Sequence, residues 1–251
     1  SLTRLLDEGA IYLHTFVNPQ AFDAQECQLY FKLVRPGRGA KEKFAACLKA
    51  SPVVPWVGEV GGHFDFDVLM YAKDLREVQR FLEGIFDKVG DIEVTKAVAA
   101  VTGMTFFGPK YLMAKEKPKS IVRWSVDSKP QKIDEIDHKV LSSLMKTDRK
   151  SFSELSRALG MSTSTFEYRV KTLRQRGVIL ALGYQVSSAA TGLIPNSFLV
   201  QTLKNSPKIQ ERIFNYCQKH PNVSYLVETL GGWDYEIGAR FERNSDANKF
   251  P

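Results

Sequence analysis

Between Ser162 and Arg176 the chain sets short hydroxyl side chains ahead of basic ones: Ser162, Thr163, Ser164, Thr165 and Tyr168, then Arg169, Lys171, Arg174 and Arg176. On a helix, short polar groups near the start let the backbone approach the base edges of a duplex. Cations farther along reach phosphates or brace the helix. The chemistry offered is hydrogen-bond readout and charge neutralisation; the alternative is a packing helix whose polar face is merely wetted. Two turns offer something different: Gly62-His63-Phe64-Asp65 and Gly231-Gly232-Trp233-Asp234. Each puts a carboxylate beside glycine N–H groups, which suits the ammonium and carboxylate of an amino acid. Gly62, His63, Asp65, Gly231, Gly232 and Asp234 are therefore candidate ligand residues. The alternative is that the glycines only tighten a hairpin that the aspartates cap.

Catalysis and metal binding find little support. The histidines are His14, His63, His138 and His220, and none falls in HExxH or pairs with a cysteine at ligand spacing. His138 reads as a surface residue, and His220 as an imidazolium suited to a helix C-terminus. Only His63, in its glycine-rich turn, is a candidate to touch a ligand. Cys27, Cys47 and Cys217 lie far apart, which points to reduced thiols, not a disulfide or zinc framework. No GxxxxGK[ST] occurs, and the GRG at 37–39 is too short for a nucleotide loop. No catalytic residue, metal site or cofactor is expected.

Three helices must position the first set of residues. The first is capped by Asp134 and buries Ile136, Val140, Leu141 and Leu144. The second opens on a capping box, Ser151 with Glu154, turns Leu155 and Leu159 inward and ends at Gly160. The third opens at Ser162, buries Phe166, Val170 and Leu173, and stops at Gly177. A Gly-Met turn between the second and third helices is what a helix-turn-helix requires, and VILALGYQV follows as a strand or wing.

A long internal repeat positions the second set. Gly9 matches Gly177, 168 residues on, and Gly61 matches Gly231, 170 residues on, which makes the first glycine turn one residue longer. A period this long means duplicated domains. Each copy reads β-α-β-β-α-β, a ferredoxin-like sandwich. In the first copy the strands are QLYFKLV, VVPWVGEV, FDFDVLMYA and DIEVTKAVAAVTGMTFF. The helices are GAKEKFAACLKAS, with Phe44, Cys47 and Leu48 on one face, and DLREVQRFLEGIFDKV. The latter turns Leu75, Val78, Phe81, Leu82, Ile85 and Phe86 to one side. The second copy stops where its second helix should begin, and the first opens inside a helix matching the third helix above. A fragment of a longer protein with two complete units is therefore expected.

Net charge is +7, and its location is informative. Residues 108–186 hold 16 Lys/Arg against 8 Asp/Glu, whereas the remainder holds 19 against 20. Such a basic block favours phosphate backbones, unless it is simply a solvated linker. No apolar run is long enough to span a membrane, and no signal peptide opens the chain. A cytoplasmic location is expected.

The stretches IDEIDHKVLSSL and DRKSFSELSRALGMSTSTFEYRVKTLRQRGVI, with the strand that follows, resemble the winged helix-turn-helix of the Lrp/AsnC (feast/famine) regulators. The sandwiches resemble that family's regulation-of-amino-acid-metabolism (RAM) domain, whose Gly-x-x-Asp turn both copies fit. The implied fold is α+β: a three-helix winged helix-turn-helix flanked by ferredoxin-like RAM domains of the dimeric α+β barrel kind. The implied boundaries are 1–22, the end of a first winged module and hinge strand; 23–113, a first RAM-like domain; and 114–132, an extended linker. A winged helix-turn-helix at 133–186 and a truncated second RAM-like domain at 187–251 follow. The resemblance implies a transcriptional regulator whose partners are double-stranded DNA, a small-molecule effector (possibly an amino acid) and further copies of itself through the RAM-like domains. DNA contacts are expected from Ser162, Thr163, Ser164, Thr165, Tyr168, Arg169, Lys171 and Arg174. Arg169 has a second role open to it, as a brace. The chain departs from the usual one-module, one-sandwich plan in being a tandem. Two alternatives stay open: an enzyme similar to the siroheme decarboxylases, which use the same architecture, and an oligomerisation module that binds no DNA. The apolar strand AVAAVTGMTFF, with Tyr30, Trp56 and Phe66, is either a subunit interface or the core of one sandwich.

Overall fold

The computed structural model describes residues 1–112, 121–145 and 151–250. In chain order the elements begin α1 (Leu2–Asp7), β1 (Ile11–Val17), β2 (Gln25–Leu33), α2 (Ala40–Lys49), β3 (Trp56–Glu59), β4 (Phe66–Ala72), α3 (Leu75–Val89) and β5 (Val94–Phe106). They continue with β6 (Val122–Ser125), α4 (Glu135–Leu144), α5 (Phe152–Ala158), α6 (Thr163–Gln175), β7 (Ile179–Val186) and α7 (Ser188–Thr191). The last are β8 (Ile194–Val200), α8 (Pro207–Lys219), β9 (Val223–Gly231), β10 (Tyr235–Phe241) and α9 (Asn244–Ala247). The chain forms two compact units, one of residues 23–102 with 228–234, the other of residues 1–22, 103–227 and 235–251.

The first of these units is an antiparallel sheet in the order β3-β4-β2-β5 with α2 and α3 on one face. Alternation along β2 sends Cys27, Leu29, Phe31 and Leu33 towards the helices, where Phe44, Leu48, Val78, Leu82 and Ile85 meet them. Asp74 caps α3 by accepting from the Glu77 N–H at 2.9 Å. The α3 stripe differs from its expectation at both ends. Leu75, in the first turn, is 77 % exposed, and Val89, in the last, is buried. Phe66 is fully buried against Phe44, so it belongs to the sandwich core, whereas Trp56 on the edge strand β3 is half exposed.

The other unit contains two cores. One lies among α4, α5, α6 and the two-stranded β1–β7 ribbon. Thr15 of β1 donates to the Leu144 carbonyl at the end of α4 (2.9 Å), which ties ribbon to helices. Asp134 caps α4 as expected, but Ile136 is 42 % exposed and the inward position is taken by Asp137. The second core packs α8 on β8, β10 and the start of β9, with Phe107, Cys217, Leu226 and Tyr235 at its centre.

The repeat is visible in the elements themselves. β4 and β10 match at an offset of 169, and α9 begins where α3 does. Leu2 and Leu5 of α1 match Val170 and Leu173 of α6, 168 residues on. The latter pair is buried, whereas Leu2 and Leu5 are 51 % and 44 % exposed.

Of the expected linker, 114–120 lies outside the described residues, and Val122–Ser125 pairs with β5 as a strand. Just before it, Lys110 is buried rather than exposed. Its Nζ donates to the carbonyls of Cys217 (2.5 Å) and Gln218 (3.1 Å), the orphan acceptors at the end of α8. It also stands 4.7 Å from the Phe107 ring centroid. Burial pushes its ammonium down to about 8. His220, which ends α8, is held below its ordinary value by burial and then by the Lys110 charge. The dipole cation at this helix end is thus the lysine, and the imidazole leans neutral.

Because the folded ammonium of Lys110 titrates near 8 and the unfolded one near 10.5, its burial opposes folding fully below pH 8. That opposition fades between the two values, so stability should rise with pH in this window, by up to about 1 kcal/mol per unit. Urea midpoints at pH 7.5 and 9.5 for wild type and Lys110→Met should show the wild type gaining on the variant. Parallel pH profiles would show an unperturbed amine.

Candidate nucleic-acid interface

The α5–turn–α6 pair is built by local hydrogen bonds. Ser151 and Glu154 form the reciprocal capping box, with the Ser151 N–H donating to Glu154 at 2.8 Å and the Glu154 N–H to Ser151 Oγ at 3.2 Å. Gly160 takes a left-handed φ of +66°, which lets the Met161 N–H reach back to the Ser156 carbonyl at 3.0 Å. Ser162 then caps α6, its Oγ accepting from the Thr165 N–H at 3.1 Å. Phe166, Val170 and Leu173 point into the core against Val140, Leu141 and Leu155, which leaves the opposite face of α6 in water.

Six of the expected DNA-contacting residues lie on that exposed face: Ser162, Ser164, Thr165, Tyr168, Lys171 and Arg174. Tyr168 is 66 % exposed, so the outward face of α6 carries a large amphipathic side chain. Two residues lie elsewhere. Thr163 is half buried, with its hydroxyl 3.2 Å from Ser156 Oγ at the joint between α5 and α6. Arg169 turns inward and takes the bracing role: Nη1 donates to Asp134 at 2.6 Å and to Asp137 at 3.1 Å. Arg176 completes the clamp from the C-cap of α6, donating to Asp137 at 3.3 Å and to the Lys132 carbonyl. The Asp137 side chain is only 5 % exposed, so both guanidinium groups answer a carboxylate withdrawn from water. The Asp137 N–H, followed by Arg169, holds the Asp134 carboxyl below its ordinary range.

The two glycine turns lie in the unit of residues 23–102 and 228–234. They have equal length, contrary to the expectation of a longer first turn. The Val60 N–H donates to the Asp65 carbonyl and the Thr229 N–H to the Asp234 carbonyl, each at 2.9 Å. The true register is therefore 169, with Gly62 opposite Gly231, and both have positive φ. Asp65 is not an open clamp. It is buried and accepts from the Leu33 N–H (3.0 Å), Lys41 (2.7 Å) and Lys32 (3.3 Å). Burial alone would raise its carboxyl; the hydrogen bonds from Lys41, Leu33 and Lys32 outweigh this and hold it below its ordinary value. His63 is exposed, its ring edge-on to Phe64 at 4.7 Å. In the second turn Gly232 N–H donates to the Val98 carbonyl at 3.2 Å, and Trp233 is buried edge-on against Tyr30 at 5.1 Å. A side chain on Gly231 would lie 2.7 Å from the Val98 carbonyl oxygen. The second turn thus uses its glycines for close backbone packing against β5. Burial also lowers the His14 imidazole, which stands beside Phe16. Among the described residues no group of three His, Cys, Asp or Glu side chains could hold a metal ion.

A family model described as winged helix-turn-helix DNA-binding matches residues 133–179. The HTH-type transcriptional regulator FL11 of Pyrococcus furiosus is 29 % identical over 118 residues, 47 % of this chain and 77 % of that protein. The regulator LrpC of Bacillus subtilis is 30 % identical over 106 residues, 42 % of this chain and 72 % of that one. The chain belongs to the Lrp/AsnC family of DNA-binding transcriptional regulators. The tandem form of this Lrp/AsnC chain also has a solved counterpart in fold. The structure of the siroheme decarboxylase NirDL aligns with 99 % of this chain and 72 % of its own, at a TM-score of 0.61 and 13 % identity.

Sequence reasoning missed two features of this Lrp/AsnC module. The Asp137 clamp joins partners 32 and 39 residues apart on different elements, so no local spacing betrays it. The other is the exposure of Glu167 one turn beyond Ser164, on the same face as the expected contact set, which did not include it.

These placements separate the roles of the arginines. Arg174→Ala should weaken binding to all duplexes alike and reduce the salt slope by about one. Arg169→Ala should instead lower the stability of the winged module, on the order of 1–2 kcal/mol, by leaving Asp137 short of a partner. Gel-shift salt titrations and urea unfolding separate the two; a slope change with Arg169→Ala alone would reverse the assignment. In the turns, Gly231→Ala should cost upwards of about 2 kcal/mol, since its φ of +138° and the Val98 contact both resist a side chain. Gly62→Ala, with no atom within 4 Å of the new Cβ, should cost only about 1 kcal/mol of backbone strain. Equal midpoints in urea would contradict this.

Proposed function

We propose that the chain is a sequence-specific transcriptional regulator that lays α6 along the major groove of double-stranded DNA, assembles through its RAM-like sandwiches, and responds to an amino acid or related metabolite. The observation that carries this reading is the outward face of α6. It is hydroxylic at its N-terminal end and cationic towards its C-terminal end, and its helix is fixed by an internal clamp. In this proposal residues 133–186 dock on DNA, while 23–113 and 187–251 serve assembly and sensing without catalysing a reaction. In the same proposal residues 114–132 run between 23–113 and 133–186 as a linker. The half-exposed Trp56 on edge strand β3 supports pairing with another copy. A DNA partner puts its work in the cytoplasm; no helix among the described residues is long and apolar enough to cross a membrane.

For the effector, Gly62, His63 and Asp65 are the stronger of the two turns, because the second is packed on β5 at Gly231 and Gly232 and on Tyr30 at Trp233, while Asp234 closes its hairpin. An ammonium-bearing ligand at Asp65 must displace Lys32 and Lys41. A second reading is an enzyme of the siroheme decarboxylase kind, supported by the fold shared with NirDL over 99 % of the chain.

One set of measurements tests these together. In vitro selection with the whole protein should recover a defined duplex motif, and light scattering at micromolar concentration should find an oligomer. Thermal-shift screening of the twenty amino acids should show a stabilising ligand whose effect is lost in Asp65→Ala, each variant being compared with its own ligand-free midpoint. No motif together with tetrapyrrole absorbance in the purified protein would establish the enzyme reading instead.

A further inference from the structure

Four exposed residues of α6 follow one stripe at i, i+3, i+4 and i+7: Ser164, Glu167, Tyr168 and Lys171. This is the spacing at which one face of a helix runs along a groove. Three of them are neutral or cationic, as an anionic surface demands; Glu167 is not. Among the described residues Glu167 takes part in no hydrogen bond or ion pair, and Lys171 is the cation one turn along the same stripe. DNA carries one negative charge per about 1.7 Å of its axis, and a bare carboxylate is repelled by it. At the centre of a docking face such a group is tolerated where it meets a hydrogen-bond donor. The major-groove edges offer two: the N4 amine of cytosine and the N6 amine of adenine. Adenine's amine has the N7 acceptor beside it, which repels a carboxylate, whereas the amine of cytosine does not.

We infer that Glu167 accepts a hydrogen bond from a cytosine N4 amine and thereby sets the base preference of the module. Glu167 is then a specificity residue, flanked by Tyr168 for apolar and hydroxyl contact and by Lys171 for a neighbouring phosphate. The inference rests on the DNA-binding reading and adds to it a named base. It also explains how a docking face can keep an acid: the repulsion disfavours every register except the one that offers an amine.

The test is in vitro selection from random duplexes with the whole protein, wild type and Glu167→Gln, followed by competition gel-shifts at fixed salt on single-base variants of the selected site. Wild type should require a C·G pair at one position of each half-site, and replacing it should weaken binding by about tenfold or more. A glutamine amide matches adenine N6 and N7, so Glu167→Gln should move that one position from cytosine to adenine and leave the others unchanged. Because Glu167 is exposed and takes part in no hydrogen bond or ion pair among the described residues, the variant should melt with the wild type. If the variant keeps the same bases and merely binds every sequence more tightly, Glu167 is only a repelling charge and this inference falls while DNA binding stands. If the wild type selects no motif, both fall.

Discussion

The structure of the docking module depends on one carboxylate. Asp137 is withdrawn from water and held by Arg169 from the middle of α6 and Arg176 from its end. Such a pair contributes little net stability, because desolvation offsets most of the attraction. What it does contribute is direction. Two planar guanidinium groups admit few arrangements around one carboxylate, so α6 cannot roll or slide against α4 without breaking them. The apolar contacts of Phe166, Val170 and Leu173 would tolerate small rotations; the clamp does not. The outward stripe of α6 has a defined azimuth because its inward side is fixed by charge as well as by packing.

The repeat shows how duplicated elements diverge once their surroundings differ. The two glycine turns have the same length and the same backbone bonds, yet Asp65 is wrapped by two lysines while the second turn is pressed onto β5. Asp67 and Glu236 keep an acid at matching points of β4 and β10. Around them the neighbours have changed: Gly238 in β10 leaves room for the Tyr225 ring, which donates to Glu236 at 2.7 Å, whereas the matching residue in β4 is Leu69. Backbone geometry is inherited with the fold; side-chain chemistry is renegotiated at each copy.

Much of this was legible in the residues. Caps at Asp134, Ser151 and Ser162 act within three residues, so sequence declares them. Buried stripes follow the helical period, and the Phe166, Val170, Leu173 stripe stands as read. What escaped depends on contacts distant in the chain. Lys110 looked like part of a wet linker, and nothing nearby announces that the end of α8 would claim its ammonium. Asp137 sits in a helix where an acid normally faces water, and only the arrival of two arginines from another helix makes its burial tolerable. The glycine register slipped by one because aligning Gly61 with Gly231 scores as well by letter as aligning Gly62 does; positive φ at Gly62 and Gly231 decides it.

The clamp has a kinetic consequence for a protein that must find one address among many. Counting cations in α6 and its cap suggests four, but Arg169 and Arg176 spend theirs on Asp134 and Asp137, which leaves Lys171 and Arg174 facing outward. Each phosphate contact adds about 0.9 to the logarithmic salt dependence, so the α6 face by itself adds little sequence-blind attraction and would hold arbitrary duplex only briefly. Brief visits favour hopping over long one-dimensional slides. In the proposed oligomeric regulator, lasting occupancy comes from correct base edges and from several modules engaging at once, where the effective concentration of the second contact multiplies the first.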